Sequence, residues 1–427
     1  MHRTIHVTRR AVLAGLAICS AAAAAVVTTQ SAVRTFLGGA SGKLVYTKLD
    51  CDNNDCNKHG HSLWYVDFSE ATLTERRIIR LDTALWSNDQ GEPRNTIISS
   101  DGQWVVFNVL DQDNKRAGSQ LYACRLQQNV TTRVSYGTGA LPRLWQRPGT
   151  AEWYVIYNSK DLEESGGWAM SFPCYTATTS MRQVDPSTMQ PLAAGQELLG
   201  VLANGNRSKS GAWLFAAGGV PGTFRIDPSA VSGATALETI GLSVEDWNMT
   251  DSLDGCNPSM SPHESEADLR VMYVCNDGDN NHRAYWLCTV RGENRVRIPW
   301  DCAENPYIDE PEWCTTHPQY AAAKASIQLT TAPYDIYLYR PYDAQYLKVL
   351  EGNYSFPFLW VDPNTIGVRQ PLPHECPAGT RASGGVRLAD IRGRVIQAEG
   401  ARPAPGAYVV AVRGTDGRAA GRRVVVR

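Results

Sequence analysis

Short runs of apolar, strand-forming residues recur along this chain of 427 residues, and a polar turn with Pro, Ser or Asp introduces each run. The pattern is found at residues 97–107, 142–157, 257–274, 311–327 and 356–368. Between these copies, further apolar runs alternate with turn residues, which gives four short strands per repeat. Repeats of roughly 40–60 residues with several strands each are typical of a β-propeller. The sequence therefore predicts an all-β propeller.

The first strand of each repeat predicts the number of blades. These strands centre near residues 99, 145, 208, 260, 313 and 359, which predicts six blades. Seven is the alternative if the long segment between 145 and 208 contains another blade. The copy near 208 is the weakest, since its strand lacks the Pro-Asp loop. Residues 42–48 resemble a second strand without a first, so we expect the lone strand at 356–361 to complete that blade and close the ring.

The N-terminal segment has the pattern of an export signal. The first ten residues carry three arginines and no acid, and residues 11–27 are apolar. Residues 8–13 resemble a twin-arginine signal. The apolar run is short and mostly Ala, so no stable transmembrane anchor is expected. Residues 1–40 are assigned to this signal, with cleavage expected between Ala25 and Ala40.

Charge and composition separate the C-terminal end from the rest. The chain carries a net charge of −2, but residues 377–427 hold ten Arg, no Lys and three acids, a net +7 that leaves −9 elsewhere. An acidic body repels phosphates, so no nucleic-acid partner is expected. Residues 371–385 are rich in Pro and Gly and are predicted to be a linker. The propeller is assigned to residues 41–370 and a small β module to residues 386–427.

Two of the polar turns carry a family resemblance. Residues 99–102 (Ser-Ser-Asp-Gly), followed by the strand at 104–107, and residues 259–262 (Ser-Met-Ser-Pro) are similar to the repeats of TolB-type, WD-repeat-like propellers. In that family a Ser-Pro-Asp-Gly loop precedes a short apolar strand. The resemblance covers about residues 42–370. It implies a propeller fold, and a propeller does not by itself define an activity.

The C-terminal module carries a second resemblance. Residues 393–395 (Gly-Arg-Val), residues 405–408 (Pro-Gly-Ala-Tyr) and the basic strand at 422–427 closely resemble the end of the C-terminal sorting domain of type IX secretion cargo. This resemblance implies a small β-sandwich-like tail that serves as an address label. It also implies the export and outer-membrane secretion machinery as partners. The expected destination is the cell surface or the medium, reached through the periplasm.

The cysteines are compatible with an exported protein. Besides Cys19 there are ten, and an even number in an exported chain suggests disulfides. Residues 16–19 resemble a lipoprotein box, with Ile18 in place of the usual small residue. Zinc is a competing role for the cysteines, but no Cys-x-x-Cys pair is present. The candidate disulfide partners are Cys51 with Cys56, Cys275 with Cys288, and Cys302 with Cys314.

One loop is a candidate cation site. It carries closely spaced oxygen ligands and resembles the first positions of a calcium loop. Its sixth position is Asp55 instead of Gly, and its twelfth is His61 instead of Glu. A solvated loop tied by a disulfide is favoured over a Ca2+ site, so no cofactor is expected, with Ca2+ as the alternative. The candidate ligands are Asp50, Asp52, Asn54 and Asp55.

Sequence patterns for catalysis are few. The chain contains no nucleophile elbow, P-loop, zinc-protease or dinucleotide motif. The carboxylate pairs Glu163-Glu164 and Asp309-Glu310 have the residue types used in glycoside hydrolysis. Several histidines, among them His263, His282 and His317, are candidate metal ligands. Three tryptophans near turns are predicted to be exposed rim platforms for a sugar or a peptide: Trp145, Trp300 and Trp313.

These observations favour an exported, non-catalytic propeller at the cell surface or in the medium, which binds a protein or a polysaccharide. The first alternative is a carbohydrate-active enzyme, a polysaccharide lyase or glycosidase that works in the propeller funnel. The second is a periplasmic TolB-like component of an envelope complex.

Overall fold

The structure, a computed structural model, describes the chain in segments. The described residues are 25–48, 62–80, 91–111, 119–147, 150–158, 179–199, 213–216, 222–226, 237–240, 256–263, 268–274, 282–289, 294–328, 331–365, 387–390, 395–396, 406–413 and 419–426. The chain divides into a first unit, Met1–Gln370, and a second unit, Pro371–Arg427. The division falls at the start of the predicted linker, and residues 371–385 lie outside the described segments.

The first unit is built of strands, with one short helix among its described residues. The elements begin with β1 (Ala25–Val26), α1 (Gln30–Phe36), β2 (Gly42–Lys48), β3 (Ser62–Asp67), β4 (Arg76–Arg80), β5 (Gly91–Ile98), β6 (Trp104–Asp111), β7 (Gln120–Arg125), β8 (Val134–Thr138), β9 (Ala140–Gln146), β10 (Trp153–Asn158), β11 (Thr179–Val184) and β12 (Gln196–Leu199). They continue with β13 (Trp213–Ala216), β14 (Gly222–Ile226), β15 (Leu237–Ile240), β16 (Cys256–Met260), β17 (Arg270–Val274), β18 (Ala284–Thr289), β19 (Val296–Pro299), β20 (Tyr307–Trp313), β21 (Ala321–Gln328), β22 (Thr331–Arg340), β23 (Gln345–Glu351) and β24 (Tyr354–Val361).

These strands pair into antiparallel sheets that follow the order of the chain. Blade 1 has the order β24-β2-β3-β4, blade 2 contains β5 to β8, and blade 3 contains β9 to β12. Strands β13 to β15 form a sheet of three. Blade 4 contains β16 to β19, and blade 5 contains β20 to β23, with β1 added beside β23.

The sheets close into a ring through blade 1. Its first strand, β24, comes from the end of the unit and pairs with β2 from the beginning, with Gly42 opposite Val361 and Lys48 opposite Tyr354. The first strand β24 also contacts β5 and β20, the first strands of blades 2 and 5. The predicted ring closure is confirmed, since strands from the two ends of the unit pair in one blade. The fold is a β-propeller.

The predicted count of six or seven blades is wrong for the described residues. Five sheets have the four strands of a complete blade, whereas β13, β14 and β15 make a sheet of three. This sheet comes from the segment near 208, the copy whose turn lacks the Pro-Asp loop. The predicted number of blades relied on a single apolar run in that copy. One apolar run indicates one strand, and it does not show that three further strands follow to complete a blade.

The core of the propeller lies between neighbouring blades. One cluster joins blades 1 and 2 through Val45, Val105 and Phe107, and a second joins blades 2 and 3. A third joins blades 4 and 5, and a fourth joins blades 5 and 1. Each of these sheets therefore buries apolar side chains on a face that meets its neighbour, which stabilises the ring through the hydrophobic effect.

The N-terminal boundary of the propeller lies earlier than the sequence suggests. Helix α1 begins after its N-cap, Thr29, whose hydroxyl accepts a hydrogen bond from the backbone N–H of Ala32 at 3.2 Å. The side chains of Val33, Leu37 and Ala40 are buried in the cluster between blades 5 and 1. Residues 25–40, which we assigned to the export signal, therefore belong to the propeller. No helix within the described segments is long and apolar enough to cross a membrane.

The second unit contains one antiparallel sheet. Its strands are β25 (Arg387–Asp390), β26 (Val395–Ile396), β27 (Gly406–Arg413) and β28 (Ala419–Val426). They are arranged in the order β26-β25-β27-β28, and Tyr408 pairs with Val424 in the long β27–β28 hairpin. The β character predicted for the module is confirmed. The described part is a single sheet, where the sequence predicted a sandwich-like tail.

Candidate functional site at the centre of the propeller

A bulge interrupts the first strand of the blades and shapes the centre of the ring. The register shifts between Asp309 and Glu312 in β20, and comparable shifts occur in β5, β9, β16 and β24. Asn95, Leu141, Glu310 and Phe356 have positive φ angles at these bulges. Pro follows the last three of these residues in sequence, and Pro is tolerated at a bulge because it has no N–H to donate. The recurrent Pro of the sequence pattern therefore marks the bulge.

The bulge of β20 places two consecutive carboxylates in a charged cluster. Lys324 Nζ of β21 lies 2.6 Å from Glu310 Oε1 and 3.3 Å from Asp309 Oδ2. The backbone N–H of Phe356 in β24 donates to Glu310 Oε2 at 2.6 Å. His282 Nδ1 lies 3.1 Å from the carbonyl oxygen of Ile308 and 3.5 Å from Asp309 Oδ1. The cluster thus joins blades 4, 5 and 1.

A third carboxylate of β20 is bound from the opposite side of the ring. Arg143 of β9 donates to Glu312 Oε1 at 3.1 Å, and the hydroxyl of Ser259 in β16 donates to Glu312 Oε2 at 3.0 Å. The same hydroxyl oxygen accepts the backbone N–H of Trp313 at 2.8 Å. Blades 3 and 5 are not neighbours, so the Arg143–Glu312 pair spans the space enclosed by the first strands. The side chain of Arg143 is only 1% exposed.

Burial and pairing shift the pKa values of this cluster in different directions. Burial raises the pKa of Glu310, and the neighbouring Asp309 carboxylate adds to the rise. Burial would also raise the pKa of Asp309, but Lys324 and His282 outweigh it and hold this pKa below its ordinary value. Burial raises the pKa of Glu312 against the opposing effect of Arg143. Burial lowers the pKa of His282, which favours the neutral imidazole.

The geometry gives each of these carboxylates an internal partner. Asp309 and Glu310 share Lys324, and Glu312 is held by Arg143 and Ser259. A buried charge whose partner is removed is strongly destabilising, so the network fixes the first strands relative to one another. No group of three or more His, Cys, Asp or Glu side chains in the described part of the chain is arranged to hold a metal ion.

The predicted rim tryptophans are not exposed. Trp145 is 3% exposed, Trp300 6% and Trp313 0%. The indole N–H of Trp300 donates to the carbonyl oxygen of Asn305, and that of Trp313 donates to the carbonyl oxygen of Pro318, both at 2.7 Å. The prediction of exposed platforms at these positions is wrong, because Trp300 and Trp313 pack between blades 4 and 5 and Trp145 packs against Tyr154 of the next strand.

The predicted Cys302–Cys314 disulfide is also wrong. Both are buried free thiols. The thiol of Cys302 donates to the hydroxyl of Tyr337 at 3.5 Å between blades 4 and 5, whereas Cys314 Sγ lies 3.2 Å from Thr316 Oγ1 between blades 5 and 1. Cys288 is free as well, and it pairs across the sheet with Val271.

Several other predicted residues lie outside the described segments. These are Cys51, Cys56, Cys275, the carboxylate pair Glu163-Glu164, and the calcium candidates Asp50, Asp52, Asn54 and Asp55. The pair Asp309-Glu310 is the sequence candidate that the structure places at the centre. Its partner Lys324 was missed, and so was the pair formed by Arg143 and Glu312. A signal for Arg143 and Glu312 existed, since each directly follows the Pro that marks the bulge.

Some solved protein structures are similar to this chain at low sequence identity, whereas sequence comparisons find no match. No protein-family model matches the chain. No curated protein matches it either. TolB from Acinetobacter baumannii is similar over 77% of this chain and 70% of that chain, with 10% sequence identity and a TM-score of 0.48. A protein described as TolB from Agrobacterium tumefaciens is similar over 75% of this chain and 97% of that chain, with 10% identity and a TM-score of 0.41.

The neighbours also include an enzyme. A prolyl endopeptidase structure is similar over 89% of this chain and 56% of that chain, with 11% identity and a TM-score of 0.35. The assignment of this chain to the β-propellers rests on its own sheet order and ring closure.

Proposed function

We propose that this chain is an exported, non-catalytic β-propeller that binds a protein or polysaccharide ligand through its surface. The observation that carries the proposal is that the central carboxylates are paired with basic side chains of the protein itself. Asp309 and Glu310 are paired with Lys324, and Glu312 is paired with Arg143. General acid–base catalysis needs a carboxyl group within reach of a substrate proton. In this propeller the same groups join blade 5 to blades 1, 3 and 4.

Export and surface delivery belong to the same proposal. The arginines and apolar run of residues 1–27 support entry into an export route. The separate unit at 371–427, with its antiparallel sheet and basic composition, supports a sorting tail of the type IX kind. If the tail is an address, deletion of residues 371–427 abolishes surface delivery and leaves the propeller in the periplasm. Unchanged surface delivery of the deletion variant would contradict the sorting role.

The binding role is tested by screening the full chain against a polysaccharide array, with mass spectrometry to detect products. The proposal expects retention of a ligand with no new product. A parallel capture experiment with extracellular protein from the same source covers the case of a protein ligand. New oligosaccharide products, or a propeller that retains no polysaccharide and no protein, would contradict the proposal.

A second candidate function has one specific observation in its favour. The consecutive carboxylates Asp309 and Glu310 have pKa values shifted in opposite directions. Such divergence is how a glycosidase assigns one carboxyl group as the acid and another as the base or nucleophile. If the chain cleaves a polysaccharide, products from the array disappear in Glu310→Gln and persist in the surface control Glu152→Gln. Equal product formation by both variants would remove this candidate.

A further inference from the structure

One histidine reaches the end of helix α1 through Tyr320, whose ring lies 6.2 Å from that of Phe36, and a second histidine from the neighbouring blade interacts with the first. His317 follows β20, and its ring lies 4.5 Å from that of Tyr320, with the two planes tilted. His263 follows β16, and its Nε2 lies 3.4 Å from the hydroxyl of Tyr342 in the β22–β23 turn. His263 and Arg340 both interact electrostatically with His317. The proposed binding function uses none of these groups.

The local hydrogen bonding selects the neutral form of His317. The backbone N–H of Gln319 donates to His317 Nδ1 at 3.2 Å. This bond requires a lone pair on Nδ1, so the ring proton is on Nε2. Protonation of Nδ1 removes the acceptor and places a positive charge beside Arg340. The site is thus built for an uncharged imidazole.

Arg340 connects this site to helix α1. Its guanidinium donates from Nη2 to the carbonyl oxygen of Phe36 at 2.5 Å, and it lies 5.1 Å from the centre of the Phe36 ring and 5.6 Å from that of Tyr320. A cation on His317 repels Arg340. Movement of Arg340 away from that charge breaks its hydrogen bond to the last residue of the helix.

Charged and titratable groups of blades 4 and 5 surround the two histidines. On the side of blade 4, Asp268 favours and Arg270 opposes a charge on His263. Asp343 in the β22–β23 turn lies 3.8 Å from Arg340. On the loop after β20, burial raises the pKa values of Cys314 and Tyr320, which keeps both neutral. The acids therefore lie beside His263 and Arg340, and the groups next to His317 are neutral or cationic.

We propose that His317 makes the attachment of helix α1 acid-sensitive, so that its protonation releases the segment 25–40 from blade 5 and uncovers the edge strand β23. Burial lowers the pKa of His317 to about 4. In the proposal, release of the segment opens the site around Tyr320 to water, and a solvated His317 has an ordinary pKa near 6.5. Because the pKa of His317 is lower in the attached state than in the released state, the attached state is favoured at neutral pH. This stabilisation is lost as the pH falls from 6.5 towards 4.

The test is hydrogen exchange of the helix at pH 7 and pH 5 in the full chain, corrected for intrinsic exchange rates. The amides of Val33 and Leu37 report on the attachment, since both donate within this helix. With His317 fully solvated in the open state, the linkage relation predicts that opening increases up to about 20-fold between pH 7 and pH 5 in the wild type. In His317→Asn, whose carbonyl keeps an acceptor for Gln319 N–H, the increase should vanish.

His282→Asn is the matched control, because His282 is a buried histidine whose partners are Ile308 and Asp309 in the central cluster. This variant should keep the full increase in opening. If His317→Asn does not fold, His317→Gln serves as the second non-titrating variant. The proposal is overturned if the helix amides of the wild type show no increase. It is also overturned if the increase persists without a titratable group at 317, or extends uniformly to the core strands.

Discussion

The turn at residues 99–102 shows how individual side chains fix the backbone. The hydroxyl of Ser99 donates to the Asp101 carboxylate at 2.5 Å and accepts the backbone N–H of Trp104 at 2.9 Å. Gly102 has a φ of +67°, and a Cβ atom at this position would lie 2.7 Å from the ring of Trp360 in β24. The turn therefore requires glycine for its conformation and for the contact between blades 2 and 1.

Replacement of this glycine tests both requirements. Gly102→Ala is expected to destabilise the chain by more than the roughly 1 kcal/mol of a strained backbone alone, because the Trp360 ring must also move. Gly137→Ala is the control, since its φ is +84° and no atom lies within 4 Å of the added Cβ. Urea unfolding of the two variants provides the measurement. Equal losses of stability would show that the contact with Trp360 contributes nothing.

The predictability of single residues depended on how local their chemistry is. The Ser-Ser-Asp-Gly turn could be identified from the sequence, because its hydrogen bonds lie within six residues. The burial of Trp145, Trp300 and Trp313 could not, because it is decided by side chains on neighbouring strands and blades. The failure to predict the free thiols of Cys302 and Cys314 has the same cause. The two cysteines are close in sequence, but their side chains enter different clusters between blades.

At the scale of elements, the bulged first strands hold the centre through ion pairs. Arg143→Met in β9 leaves the Glu312 carboxylate of β20 buried without its cation, so a loss of about 3–5 kcal/mol of unfolding free energy is expected. Arg147→Met is the control, because Arg147 and Glu152 form a partly exposed pair at 3.0 Å. Such pairs contribute roughly 0–1 kcal/mol. Chemical denaturation compares the two variants, and similar losses would contradict the role of Arg143.

The strands themselves were largely predictable, while their irregularities were not. Alternation of apolar runs and turns located the strands of blades 1, 2, 4 and 5, and Pro residues located the first strands of blades 1, 4 and 5. The bulges depend on pairing with the second strand, which the pattern of one strand does not define. For this reason Asp309 and Glu310 were candidates without known partners.

At the scale of the whole molecule, the N-terminal segment belongs to the ring. Strand β1 pairs with β23, and helix α1 buries Val33 and Leu37 between blades 5 and 1. If the protein is exported with cleavage, we expect the mature chain to begin before Ala25, because a later start removes core side chains. N-terminal sequencing of the exported protein provides the measurement. A start between Ala25 and Ala40 would contradict this expectation.

Ring closure was predictable because the repeats begin with a blade that lacks its first strand and end with a first strand that lacks the rest of its blade. The blade count was not, because one strand signal near 208 gave no information on how many strands follow it. The structure gives that segment three strands in one sheet.

The structural role of the central carboxylates is tested most directly by the free energy of unfolding of Lys324→Met. This change keeps most of the side-chain volume and leaves Asp309 and Glu310 buried without their shared cation. If these carboxylates have a structural role, the loss of their shared cation lowers the free energy of unfolding by about 3–5 kcal/mol. Charged groups retained for catalysis commonly cost stability, so their replacement raises it. Unchanged or increased stability would contradict the structural role and favour a catalytic centre.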